Sequence, residues 1–160
     1  MSRTVAVVPT EPFLAHVEPN GHPERRARLV AVRDALAPVE GLMALTVNPA
    51  TDEQLAAVHP MHHIRRVRER AQSGGGSFDP DTYVGTDSEH VAALAAGALC
   101  HAVDVVVGGD ADTAWNLARP PGHHATADVS MGFCLYNSVA VAARHAQRCH
   151  GVERVLIIDW

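Results

Sequence analysis

Two adjacent imidazoles, His123 and His124, follow Arg119-Pro120-Pro121-Gly122 and precede Met131-Gly132-Phe133-Cys134. Histidine is the side chain whose ordinary pKa lies closest to neutrality, so a positioned pair can transfer a proton and carry charge during a reaction. Pro-Pro fixes two φ angles and removes two N–H donors, and Gly122 opens backbone conformations closed to other residues. The string therefore reads as a rigid loop presenting imidazoles, and functional loops are commonly held this way on a rigid scaffold. Neighbouring loop histidines tend to point apart, which suits flanking a reacting group better than bidentate metal binding. Asp159 closes the apolar run Val155-Leu156-Ile157-Ile158 and is the carboxylate placed to orient one imidazole.

That placement depends on the elements around the loop. Thr4 to Val8, Met43 to Val47, Thr113 to Leu117 and Val155 to Asp159 read as short apolar strands. Between them the pattern predicts helices from Pro23 to about Ala37, from a capping box at Thr51-Asp-Glu-Gln54, and after His59-Pro60 to Ala71. A long helix over 88–107 ends at Gly108-Gly109, and another runs from Asn137 to about Arg148. Ser73-Gly-Gly-Gly-Ser77 reads as a flexible surface loop; with no strand before it and no Lys after it, it is not a phosphate loop. Strands that alternate with helices and are apolar throughout predict a parallel sheet covered on both faces. Ligands bind such sheets beyond the carboxyl ends of the strands, where His123, His124 and Asp159 fall together.

Composition narrows the chemistry. The 160 residues suffice for one domain with a real core, and 47% hydrophobic with 19% charged residues is ordinary for a globular chain. A formal charge of -5 gives no reason to expect non-specific nucleic-acid binding. All 13 basic residues are Arg, which excludes a lysine Schiff base and a Walker lysine within these residues. Eleven histidines make metal or acid–base chemistry the first class to test. Cys100, Cys134 and Cys149 lack zinc-finger spacing and read as buried reduced thiols, so a cytoplasmic protein is expected. The apolar N-terminal run is too short for a signal peptide, and Val91 to Val107, interrupted by His101 and Asp104, reads as too short to span a bilayer. The remaining histidines have bland readings: His59, His62 and His63 at helix ends or the surface, His145 and His150 solvated, His16 and His22 in a turn.

Arg119-Pro-Pro-Gly-His-His-Ala125, Met131-Gly-Phe-Cys134, Asn137 and Val155-Leu-Ile-Ile-Asp-Trp160 resemble the histone deacetylase superfamily. They look most like its bacterial class II-like, acetylpolyamine amidohydrolase and acetoin-utilisation branch. Weaker matches at Gly21-His-Pro-Glu24 with Arg28, Val58-His59, Asp81-Thr82 and Ala95-Ala-Gly97 extend the resemblance over nearly the whole chain. It implies the arginase-like three-layer α/β/α fold with a mainly parallel sheet, and hydrolysis of an acetyl amide by a Zn2+-activated water. His124 then resembles the general base and acid, and His123 its charge-stabilising partner held by Asp159. Gly132 and Phe133 resemble the substrate-channel wall, with the Gly132 carbonyl accepting from the substrate amide. Asp81 resembles the rim carboxylate that positions substrate, and Arg28 the arginine of an inner acetate cavity. Asp159 also resembles a ligand of a structural monovalent cation such as K+.

The family's zinc ligands follow the segment matching Asp159-Trp160, with the carbonyl-polarising Tyr or His further on. Residues 1–160 are therefore expected to be the N-terminal part of a single deacetylase domain, truncated in mid-sheet and inactive alone. Its parent would act on an acetylated polyamine or other small amine, or on acetyl-lysine in a protein, with no membrane or direct nucleic-acid partner. A remnant or binding module that keeps only the front of the fold is the alternative. An arginase-like binuclear hydrolase shares the fold but not the Arg-Pro-Pro-Gly-His-His string.

Overall fold

The computed structural model describes residues 3–159. The apolar run after Arg3 becomes β1 (Val5–Val7), followed after a 3-10 turn (Glu11–Ala15) by α1 (Arg26–Leu36) and β2 (Leu42–Ala44). Next come α2 (Asp52–Ala56), α3 (Met61–Gln72), β3 (Gly76–Ser77) and β4 (Tyr83–Val84). The long helix α4 (Ser88–Gly108), β5 (Thr113–Trp115) and α5 (Ser138–His150) complete the order. Strands β2, β1 and β5 form a parallel sheet with β1 at its centre, Val5 opposite both Leu42 and Thr113. This parallel sheet with its helices agrees with the expected arginase/deacetylase α/β class.

Helix α4 organises the interior. Val91, Leu94, Ala95, Ala98, Ala102 and Val105 pack with Ala6 and Val8 from the sheet side and Leu29 from α1. Ala92, Ala96 and Cys100, on another stripe, pack with Leu55, Ile64, Val67 and Val141 from α2, α3 and α5. A helix apolar on both stripes must be buried. Its 21 residues are long and apolar enough to cross a membrane, so the expectation that the run is too short was mistaken on length. What marks α4 as a core helix is its eleven buried residues. Gly97 lets the chain at Asn48–Ala50 lie against it: a Cβ there would sit 2.1 Å from the Asn48 carbonyl oxygen.

Local chemistry explains most boundaries. The Thr51 hydroxyl accepts from the Gln54 N–H while the Gln54 side chain accepts from the Thr51 N–H, the reciprocal cap anticipated at the start of α2. Helix α1 begins three residues later than Pro23 suggested, because Glu24 is drawn inward by a buried partner described below. The glycine segment is not simply a loop: Gly76 and Ser77 pair antiparallel with Val84 and Tyr83. Val155–Asp159 is the larger correction. It makes no strand pairing among the described residues, and Leu156 and Ile158 are 82% and 67% exposed. Its apolar composition asks for a strand, but a strand exists only where a neighbour satisfies its N–H and C=O groups.

Candidate active site

Strand β5 delivers the chain at its carboxyl end to Arg119, whose side chain is fully buried. Its Nε and Nη2 donate to the two Glu24 carboxylate oxygens at 2.7 and 2.8 Å, a bidentate pair. Nη1 donates to the His16 carbonyl at 2.7 Å, and Nη2 also reaches the Tyr83 hydroxyl at 3.0 Å. Burial pushes the Glu24 carboxyl up, but the Arg119 hydrogen bonds and charge outweigh it and hold the group below its ordinary range. The loop's first residue is thus tied to a buried carboxylate 95 positions earlier.

Beyond this anchor the loop turns back on itself. The backbone N–H groups of His123 and His124 both donate to the Cys134 sulfur at 3.4 Å. Asn137 caps α5 through its Oδ1, and its Nδ2 donates to the Ala125 carbonyl at 2.8 Å. Residues 131–134 close a tight turn in which Met131 and Cys134 exchange backbone hydrogen bonds. Its two central residues, Gly132 and Phe133, have φ of +56° and +68°, the paired positive values of a type I′ turn. For phenylalanine that conformation costs about 1 kcal/mol. A Cβ on Gly132 would lie 2.8 Å from His124 Cβ and Cγ, so this position both turns the chain and backs the imidazole.

The two imidazoles consequently lie together, not apart as expected: their centroids are 4.1 Å from one another at 48°. The shared sulfur acceptor and the close Gly132 backbone bring both rings to one surface. His123 Nδ1–H donates to Asp159 Oδ2 at 2.9 Å, which fixes the orientation of its ring. Both groups are accessible, with side-chain exposures of 39% and 62%. Phe133 donates its N–H to the Thr82 hydroxyl at 3.1 Å and takes the edge of the His22 ring at 5.1 Å. His22 in turn donates to the Asp81 carbonyl at 2.9 Å, so Asp81, His22 and Phe133 line one side. The Gly132 carbonyl accepts from the Cys134 thiol at 3.3 Å and keeps a second lone pair free. Arg28 stands apart: its side chain is 56% exposed and 3.9 Å from Glu24.

Several histidines differ from their bland readings. His59 and His63 are fully buried beneath the loop, not at the surface. His59 Nδ1–H donates to the Ala127 carbonyl at 2.8 Å, and its Nε2 accepts from the Asn137 N–H at 2.9 Å. His63 donates to the Leu135 carbonyl at 3.1 Å. Burial lowers both imidazole pKa values, so they stay neutral and support the backbone on either side of the turn. His16 is buried too, bonded to the Ser88 hydroxyl at 2.7 Å, and burial with the Arg119 charge lowers its pKa to about 4. His145 is largely shielded and His150 is exposed at the helix end, and both gather on Asp104. Cys100 and Cys134 are buried thiols as expected, whereas Cys149 is exposed. Arg119, Cys134, His59 and His63 are the supports that reading the sequence did not single out. A guanidinium needs an acidic partner once it is buried, and nothing local to Arg119 marks that burial.

A metal would need three converging donors at the loop. Among the described residues the group that converges in this way is Asp104, His145 and His150, which includes none of the loop residues. Asp159, the nearest carboxylate, is engaged by His123. The residues around His123 and His124 therefore do not themselves make a zinc site.

Comparison with known proteins places this geometry in context. The family model described as "Histone deacetylase domain" matches residues 22–160. The "Histone deacetylase-like amidohydrolase" of Pseudomonas aeruginosa is 42% identical over 138 residues, covering 86% of this chain and 36% of that protein. The "Polyamine deacetylase HDAC10" of Homo sapiens is 38% identical over 154 residues, covering 89% of this chain and 23% of that protein. Among solved structures, the "HDA15 HD domain" crystal structure superposes with a TM-score of 0.86 at 34% identity. It covers 92% of this chain and 44% of the other. The chain thus spans well under two thirds of each.

Proposed function

Because the chain belongs to the histone deacetylase family, we propose that it carries the proton-transfer and channel-wall groups of an amide hydrolase acting on acetylated amines. The observation that carries this reading is the imidazole pair itself: two rings 4.1 Å apart, one bonded to Asp159 at 2.9 Å, the other backed by Gly132. In the proposed reaction a water adds to the acetyl carbonyl carbon, and the C–N bond then breaks to give acetate and a free amine. His124 accepts the proton lost by that water and returns it to the departing nitrogen. His123, its ring oriented by Asp159, balances the negative charge that develops in between. The Gly132 carbonyl accepts from the substrate amide N–H. Phe133 and His22 flank the entering aliphatic arm, and the Asp81 side positions the substrate backbone or distal amine.

We assign the substrate to acetyl-lysine or an acetylated polyamine, since both present an acetyl amide on a thin aliphatic arm. Relatives named as polyamine deacetylase and histone deacetylase-like amidohydrolase support this class. The reaction's zinc needs donors other than those gathered here, so residues 3–159 alone should not turn over. Two assays test the reading with fluorogenic acetyl-lysine and with acetylated polyamines. The 160-residue chain, with or without Zn2+, is expected to be inactive. In the whole protein, His124→Ala should lower kcat by ~10²–10⁴-fold, the usual contribution of a positioned general acid–base. Turnover by the isolated chain, or an unchanged kcat in that variant, would overturn it.

A further inference from the structure

Away from the loop, α4 and α5 bring three donor side chains to one point. Asp104 lies on α4; His145 lies on α5, and His150 is its last residue. Nε2 of each imidazole is 2.6 Å from the same Asp104 oxygen, Oδ1. The rings stand at 73° with centroids 5.8 Å apart, and all three ligand atoms fall within 4.8 Å of one another. The side chains are shielded but reachable, with exposures of 10%, 24% and 42% for His145, His150 and Asp104. Asp104 also borders a surface cavity of about 320 Å³ shared with His101, Gln54 and Thr51, which gives a solute a path to it.

Two imidazole nitrogens and one carboxylate oxygen converge on one point, the donor types and number of a three-ligand zinc site. Around tetrahedral zinc, bonds of ~2.0–2.2 Å set neighbouring donors about 3.3–3.5 Å apart. Asp104 Oδ1 would have to retreat from each nitrogen by less than about 1 Å, and the two nitrogens, within 4.8 Å of one another, would have to close by up to about 1.5 Å, movements within reach of side-chain rotation at a helix end. Two imidazoles and one carboxylate suit zinc, and three protein ligands leave a fourth position for water.

We propose that Asp104, His145 and His150 form a zinc-binding site, separate from the His123–His124 loop, that ties the C-terminal end of α5 to α4. The bound ion replaces two hydrogen bonds by three coordinate bonds, so occupancy couples the end of α5 to the core helix.

The test is titration of the chelator-treated chain with Zn2+ against a chromophoric chelator, with Co2+ as a spectroscopic probe. One Zn2+ per chain is expected, with the cobalt complex showing the visible absorption of a low-coordinate nitrogen–oxygen site. His150→Ala, at the exposed helix end, and Asp104→Ala should each lose that ion. A His123→Ala/His124→Ala double variant should retain it. Far-UV circular dichroism checks that each variant is folded, and Zn2+ should raise Tm in the wild type but not in His150→Ala. Failure of the wild type to take up Zn2+ at small molar excess would sink the proposal, leaving a hydrogen-bonded cluster only. Uptake that persists unchanged in both His150→Ala and Asp104→Ala would sink it equally.

Discussion

Arg119 has no exposure and holds Glu24 through two hydrogen bonds shorter than 3 Å, so neither member can be removed alone without stranding the other's charge. Arg119→Ala is expected to destabilise the protein by about 3–5 kcal/mol, read as a fall in the urea midpoint. An Arg119→Met/Glu24→Leu double variant should recover most of that loss, because it leaves no unpaired charge. His16 gives a pH signature of known sign. Its folded pKa is about 4 and its unfolded value near 6.5, so the unfolded chain binds more protons between these limits. Stability is therefore lost as pH falls from about 6.5 to 4, by roughly 3 kcal/mol from this residue, and a pH-dependent denaturation series should show it. His16→Gln should flatten that part of the curve. Much of the residue scale was legible: the types and order of Arg119 to Cys134 named the imidazole pair, and the end of the Val155 to Asp159 run named its carboxylate. The supports were not, because burial of His59, His63 and His16 depends on segments far away in sequence, and an isolated histidine looks the same buried or solvated.

At the scale of elements, the junction of the loop with α5 turns on Asn137. Its oxygen caps the helix and its nitrogen holds the Ala125 carbonyl, so two functions sit on one amide. Asn137→Ala should cost about 1–3 kcal/mol, the sum of a cap and a buried hydrogen bond. Asn137→Asp keeps the cap oxygen and loses the donor, so it should cost less than Asn137→Ala in thermal melts; its own loss measures the loop clamp and the difference between the two variants measures the cap. A loss for Asp equal to that for Ala would contradict this division. Helices were the well-read elements: the Thr51 capping box, the span of α4 and the span of α5 follow from local side-chain chemistry and apolar period. Val155–Asp159 was misread because strand formation is a property of pairs, and composition reports only one partner. The glycine run erred the other way, since pairing with Tyr83 and Val84 recruits residues of low strand propensity.

For the whole molecule, the sheet and α4 bury one face well and leave Leu156, Ile157 and Ile158 in solvent. An exposed apolar run with unpaired backbone is a template for association. Self-association of the 160-residue chain is expected to rise with concentration in sedimentation velocity. Leu156→Lys with Ile158→Lys should suppress it without lowering Tm, because neither side chain contributes to the core. The Arg119–Glu24 pair has a different consequence at this scale. It joins the opening segment to the His123–His124 loop across 95 positions, and removing either charge alone strands the other. In evolutionary terms the two sites are one character. Across related sequences they should change together or not at all, and a lineage that swapped one would have had to cross an unstable intermediate to swap the other.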